Sequence, residues 1–213
     1  EIVEIHSAPE EERGAGSHRL GDVYVGKVKN IVPNIGAAFI EIEKGVNCYY
    51  DMKDTGTSFF THKSGKKALC IGDELVVQIS REAVRTKAPT VTGNISFTGR
   101  YAVLTHGNTR IGVSSKIPKS LREEYKEKLS GFQNDRYGII IRTNAKDVPF
   151  QEVLDEISSL REEYEALFQT AATRKCFSCL KSAPPSYILD LKNVYMEGMK
   201  EIIIGDKGLY TRI

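Results

Sequence analysis

The chain is poor in several things that would have pointed directly at a function. Its net charge is only +2 across 213 residues, too small to imply a nucleic-acid partner from composition, so any basic surface must arise by local segregation. No stretch approaches the ~20 consecutive apolar residues that a membrane-spanning helix needs. The chain starts at Glu1 without a methionine and without a charged-then-apolar leader, so the expectation is a soluble, cytoplasmic protein. Cysteine is scarce as well. Cys48 and Cys70 stand alone, and Cys176-Phe-Ser-Cys179 is a single CxxC with no second pair or paired histidines near it. Structural zinc takes four ligands, so two semi-buried reduced thiols near a helix end are the expectation.

What is present is a run of strands. From Gly21 to Asp54 the sequence reads as a β-meander. Val23, Val25 and Val28 to Val32 give β-branched alternation, Pro33-Asn34 turns the chain, and Ala37 to Ile42 alternate again. Phe39, Tyr49 and Tyr50 lie on these strands among Lys27, Lys29, Lys44 and Lys53. Rings beside cations suit a single-stranded nucleic acid, because bases stack on rings for roughly 1–3 kcal/mol each while lysines attract phosphates. Any one of the three aromatics would serve equally well as core.

The next block, Asp51 to Gly72, is a loop long enough to be functional by its length and carries Phe59, Phe60, Lys63, Lys66 and Lys67. Asp73 to Ser80 is a strand, Arg81, Arg85 and Lys87 form a basic loop, and Pro89 to Phe97 is expected to close a barrel. Beyond Gly99 the pattern changes. Tyr101 to Thr105 is a strand, Arg110 to Lys116 a polar basic loop, Ser120 to Leu129 a short helix and Tyr137 to Arg142 an apolar strand. The longest helix is predicted from about Pro149 to Thr173. Val153, Ile157, Leu160, Tyr164 and Leu167 make one stripe, with Asp147 as the expected cap and Pro149 in the first turn. A short strand at Glu1 to Ile5, an exposed loop at Ser7 to His18, a helix around Tyr187 to Met199 and a strand at Glu201 to Ile204 complete the reading.

Three blocks carry a resemblance. GDVYVGKVKNIVPNIGAAFIEI from Gly21, GDELVVQISREAVRTKAPTVTGNISFTGRYAVLT from Gly72 to Thr105, and YGIIIRTNAKDVPF from Tyr137 to Phe150 resemble the amino-terminal half of the ribonuclease E/G endoribonuclease family. The resemblance implies an α+β, mainly β fold: a five-stranded OB barrel of the ribosomal S-one type at 21–98, then an α/β 5′-sensor subdomain at 99–183. Parts of a ribonuclease-H-like subdomain would be formed by the chain ends, 1–20 and 184–213. It implies binding of single-stranded RNA through Phe39, Tyr49, Lys87 and Lys27. Tyr49 would stand in for a phenylalanine, since CYYDMKD departs from the family's ending of that strand.

It also implies recognition of a 5′-monophosphate by Gly99, Val103, Arg142 and Thr143, with Arg110 and Lys116 as candidate helpers. An arginine beside a hydroxyl at a strand end suits a terminal phosphate, because guanidinium bonds two phosphate oxygens at once and stays charged. The family cleaves RNA with magnesium held by aspartates in a D-x-N-x-G motif, and no such motif occurs between Glu1 and Ile213. Asp73, Asp147, Asp190 and Asp206 are single carboxylates. The expectation is therefore a substrate-binding part of the enzyme, inactive alone, with no cofactor in this chain and magnesium confined to the full-length enzyme, which could form homo-oligomers. A free-standing, non-catalytic RNA-binding protein is the alternative reading, as is a barrel that binds a protein or an oligosaccharide.

Overall fold

The computed structural model describes residues 18–65, 68–85 and 87–184. The expected strand at Glu1 to Ile5, the loop before His18, Lys66 and Lys67, and the helix and strand after Pro184 lie outside the described residues. So do the ribonuclease-H-like ends, apart from residues 18–20 and 184.

Alternation of β-branched and small residues produces the first three strands, β1 (Val23–Val32), β2 (Ala37–Glu43) and β3 (Val46–Asp51), paired antiparallel in sequence order. The turn between β1 and β2 is a 3-10 turn at Pro33–Ile35 that ends on Gly36, at φ 63° in the left-handed region where a side chain would be strained. The long connection after β3 is not featureless: it holds a 3-10 turn at Met52–Gly56 and the short strand β4 (Phe60–His62). β5 (Glu74–Arg81) then pairs antiparallel with β1, and β6 (Thr90–Thr92) pairs antiparallel with β5 and parallel with β3. The circuit β1-β2-β3-β6-β5-β1 closes a five-stranded mixed barrel, consistent with an OB-like fold. Its interior is filled by Val28, Ala38, Ile40, Ile42, Cys48, Tyr50, Leu75, Val77, Ile79 and Val91.

Closure comes earlier than the sequence suggests. The strand β7 (Ser96–Thr98), expected to finish the barrel, instead pairs with β8 (Ala102–His106) in a second sheet. The basic loop expected at Arg110 to Lys116 contains a further strand, β9 (Ile111–Val113). Next come helix α1 (Lys119–Leu129) and strand β10 (Tyr137–Ile141), and the second sheet runs β7-β8-β10-β9 with β9 and β10 parallel.

Helix α2 (Phe150–Thr173) covers this sheet and buries the predicted stripe of Val153, Ile157, Leu160, Tyr164 and Leu167, adding Phe168 and Ala171. Asp147 does not cap it: the N-cap is Pro149, without a side-chain bond, and Asp147 ends a separate 3-10 turn at Thr143–Asp147. After α2, β11 (Cys179–Lys181) adds to the free side of β1. No helix among the described residues is long and apolar enough to cross a membrane.

Barrel and second sheet belong to one compact unit. Phe59, from the connection after β3, packs its ring 5.0 Å from that of Phe168 on α2. His106 sits in the same aromatic group, its ring centroid 4.5 Å from Phe168 and its Nδ1 2.9 Å from the Tyr164 hydroxyl. Burial there disfavours the charged ring and pushes the His106 pKa down. Asp73, fully buried at the foot of β5, is satisfied by the backbone N–H groups of Ser64 and Cys70 at 2.7 and 2.8 Å and by Lys63 at 3.3 Å. Burial alone would raise its pKa, but these donors outweigh it and the carboxyl titrates low.

Candidate nucleic-acid interface

Period-two alternation decides which aromatics are available. Along β3, Cys48 and Tyr50 point into the barrel, so Tyr49 points out. Along β2 the neighbours Ala38 and Ile40 are buried and Phe39 is half-buried on the outer face. Phe39 and Tyr49 are direct cross-strand partners, with ring centroids 6.3 Å apart and planes at 86°. Tyr50 is removed from the candidates: it is fully buried and bonds the Ser58 hydroxyl at 2.7 Å.

The exposed Lys87 is carried by a tight turn whose backbone pairs Val84 with Lys87. That arm is tied to the ring pair, because the N–H of Tyr49 bonds the Pro89 carbonyl at 2.8 Å and Tyr49 is in register with Thr90. Lys27 is placed differently. It stands opposite Glu74 and forms an ion pair with it at 3.3 Å, while Lys29 pairs with Glu41 at 3.1 Å. Ile35, 63% exposed at the turn leading into β2, is an apolar residue that the sequence pattern did not single out.

The second group gathers past one end of the second sheet. Thr98 lies opposite Val103, and Val103 opposite Ile140, so Gly99 after β7, Val103 near the start of β8, and Arg142 and Thr143 after β10 converge there. The Arg142 guanidinium donates from Nη1 to the Gly99 carbonyl at 2.6 Å, and its backbone N–H donates to the Tyr101 carbonyl at 2.7 Å. The Thr143 and Ser114 hydroxyls are 3.0 Å apart, and the Tyr125 hydroxyl of α1 secures the turn after Thr143 by donating to Ala145 O at 2.7 Å. Lys116, exposed, lies two residues beyond Ser114, and Arg110 is exposed before β9.

Backbone amides do lie beside this group, as a phosphate site would require, but a carboxylate already holds them. Glu156 of α2 accepts from the N–H groups of Arg100, Tyr101 and Ala102 at 2.6, 2.7 and 2.8 Å. Ser114 and Glu156 were not singled out from sequence. Glu156 left a signal, though: it is three residues after Val153 and four before Leu160, a charge on the apolar stripe rather than on the solvent face.

The model of the ribonuclease E/G family matches residues 96–213, more than half of the chain. The chain belongs to the ribonuclease E/G family. It is 30% identical over 205 residues to ribonuclease E of Synechocystis sp., covering 93% of this chain and 30% of that protein. It is 26% identical to ribonuclease E of Nostoc sp. over 202 residues, covering 93% of this chain and 29% of that protein. To ribonuclease G of Escherichia coli it is 27% identical over 179 residues, 79% of this chain and 36% of that protein. The chain thus spans about a third of the length of the curated relatives it matches. Among the described residues no three His, Cys, Asp or Glu side chains are grouped to hold a metal ion. Cys176 is half-buried with its thiol pushed up to about 11 by burial, and Cys179 is exposed on β11.

Proposed function

We propose that this region is the substrate-recognition part of an RNA-processing endoribonuclease. In this reading the barrel is of the ribosomal S-one type and binds single-stranded RNA along Phe39 and Tyr49, with Lys87 drawing in the phosphates and Lys27 in a lesser role. The end of the second sheet reads a 5′-monophosphate through Arg142 and Thr143, while Gly99 and Val103 shape the pocket. A cytoplasmic setting and homo-oligomers of the full-length enzyme belong to the same reading.

The observation that carries it is the outward Phe39–Tyr49 ring pair beside the arm that bears Lys87. Two rings on adjoining strands offer a stacking platform to any base, and a cation tied in at the same edge answers the backbone charge. At the second site a planar guanidinium is oriented by Gly99 O, and the next residue, Thr143, carries a hydroxyl that meets Ser114. A terminal monophosphate bears up to two charges and three free oxygens, whereas an internal phosphodiester bears one charge and a 5′-hydroxyl none, so such a pocket can tell an end from the backbone.

Fluorescence anisotropy with one oligonucleotide sequence, presented as a single strand or as a duplex at increasing salt, tests the barrel half of this reading. The single strand should bind better, and its log affinity should fall with log salt by about 0.7 for each phosphate contact. Binding that is indifferent to salt and to strandedness would contradict it.

A further inference from the structure

The turn from Gly99 to Ala102 is held from both sides. On one side its three successive amides converge on the Glu156 carboxylate. On the other its carbonyls take the Arg142 side chain at Gly99 and the Arg142 backbone at Tyr101. Successive N–H groups of this kind form an anion-binding concavity, and here the anion is supplied by the protein. Saturated amides have little to offer a phosphate, so recognition falls to Arg142 and Thr143.

We infer that Glu156 is a positioning residue for the 5′-phosphate pocket: by anchoring the amides of the turn, it holds the Gly99 carbonyl where that oxygen orients the Arg142 guanidinium. The inference rests on the reading of Arg142 as a phosphate ligand. It explains why position 99 is glycine. A Cβ there would lie 2.5 Å from the Glu156 carboxyl carbon and 2.6 and 2.8 Å from its oxygens, closer than real Cβ contacts allow. A side chain at 99 therefore requires the Glu156 carboxylate to shift from its place against the amides. Gly99 and Glu156 therefore act as one unit, separated by most of the second sheet in sequence and in contact in the fold.

A glutamine at 156 keeps the shape but replaces one acceptor oxygen by an NH₂ that opposes a backbone N–H. The test measures affinity for two oligonucleotides differing only in a 5′-monophosphate or 5′-hydroxyl, with wild type, Glu156→Gln, Gly99→Ala and the double variant, each shown folded by circular dichroism and melting. Each single variant should lose the preference for the monophosphate on the order of tenfold, the scale of one charged hydrogen bond. Affinity for the 5′-hydroxyl RNA should stay within about twofold, and the double variant should be no worse than either single one, as coupled neighbours behave. A merely structural lesion would lower both affinities together. Retention of the preference in either folded single variant overturns the inference while leaving the phosphate reading intact. A wild type with no preference for the monophosphate overturns the phosphate reading and this inference with it.

Discussion

The outer face of the barrel and the end of the second sheet are built by different means. On the barrel, Phe39 and Tyr49 are turned to the outer face by strand alternation and stay half-buried there. At the sheet end, Arg142 is oriented by Gly99, the turn of Gly99 is held by Glu156, and Thr143 meets Ser114, partners 29 to 56 residues distant in the chain. The comparison teaches that an outward ring pair can be written in local period, whereas the arrangement around Arg142 needs tertiary contacts. The barrel face should therefore supply affinity with little discrimination, and the sheet end discrimination with modest affinity.

The largest expected effect comes from stripping the barrel face. Phe39→Ala with Tyr49→Ala removes up to two stacked bases at roughly 1–3 kcal/mol each, so single-strand affinity should fall by about thirtyfold or more. Both 5′ ends should lose equally. Unchanged anisotropy titrations with the folded double variant would break the comparison at its barrel side.

Next is Arg142. Its removal deletes a charged hydrogen bond, roughly 1.5–3 kcal/mol, and should erase a preference of about tenfold for the monophosphate. Arg142→Lys should restore only part, because an ammonium lacks the planar fork. Full restoration by lysine would mean that charge alone, and not the orientation at Gly99 O, makes the selectivity.

A pH effect should separate the regions further. His106 belongs to the second sheet, and its folded pKa lies below its unfolded value near 6.5 because burial disfavours the charged ring. The stability it contributes is then present in full above about pH 6.5 and is lost as pH falls through the lower folded value. Melting temperature should decline on acidification below about pH 6.5, and His106→Phe should flatten that part of the decline. An identical profile in the variant would place the acid sensitivity elsewhere.

The smallest effect is expected at Lys27. Its charge is already answered by Glu74 at 3.3 Å, so Lys27→Ala should reduce RNA affinity less than Lys87→Ala does. The reverse order would show that RNA displaces Glu74.

What the sequence revealed follows the same division. The strands of the meander and the stripe of α2 were legible because each is a local repetition, of period two or of 3.6 residues, imposed by burial of one face. Of the three aromatics, Phe39 and Tyr49 face outward and Tyr50 inward, because alternation of neighbouring residues, rather than aromatic identity, decides inside from outside. Strand β9 was hidden because Ile111–Val113 is too short to show a period and is recruited by β10 beside it. The placement of β7 was hidden for a similar reason: pairing partners are a tertiary choice. Asp147 looked like a cap, but the chain spends it in a 3-10 turn that delivers Pro149 to the helix start. At the sheet end, Arg142 and Thr143 were read from residue type and resemblance. Ser114 and the role of Glu156 depend on contacts across the chain, and only the misplaced charge on the apolar stripe hinted at them.

That affinity and end recognition reside in separate places is tested most directly by one ratio. The affinity for a 5′-monophosphate oligonucleotide is divided by that for its 5′-hydroxyl twin, in wild type, in Arg142→Ala and in the Phe39→Ala, Tyr49→Ala double variant. The ratio should be about ten or more in wild type, close to one in Arg142→Ala with 5′-hydroxyl binding little changed, and undiminished in the double variant although both affinities drop. A wild-type ratio of one, or equal loss of both ligands in Arg142→Ala, would contradict the separation.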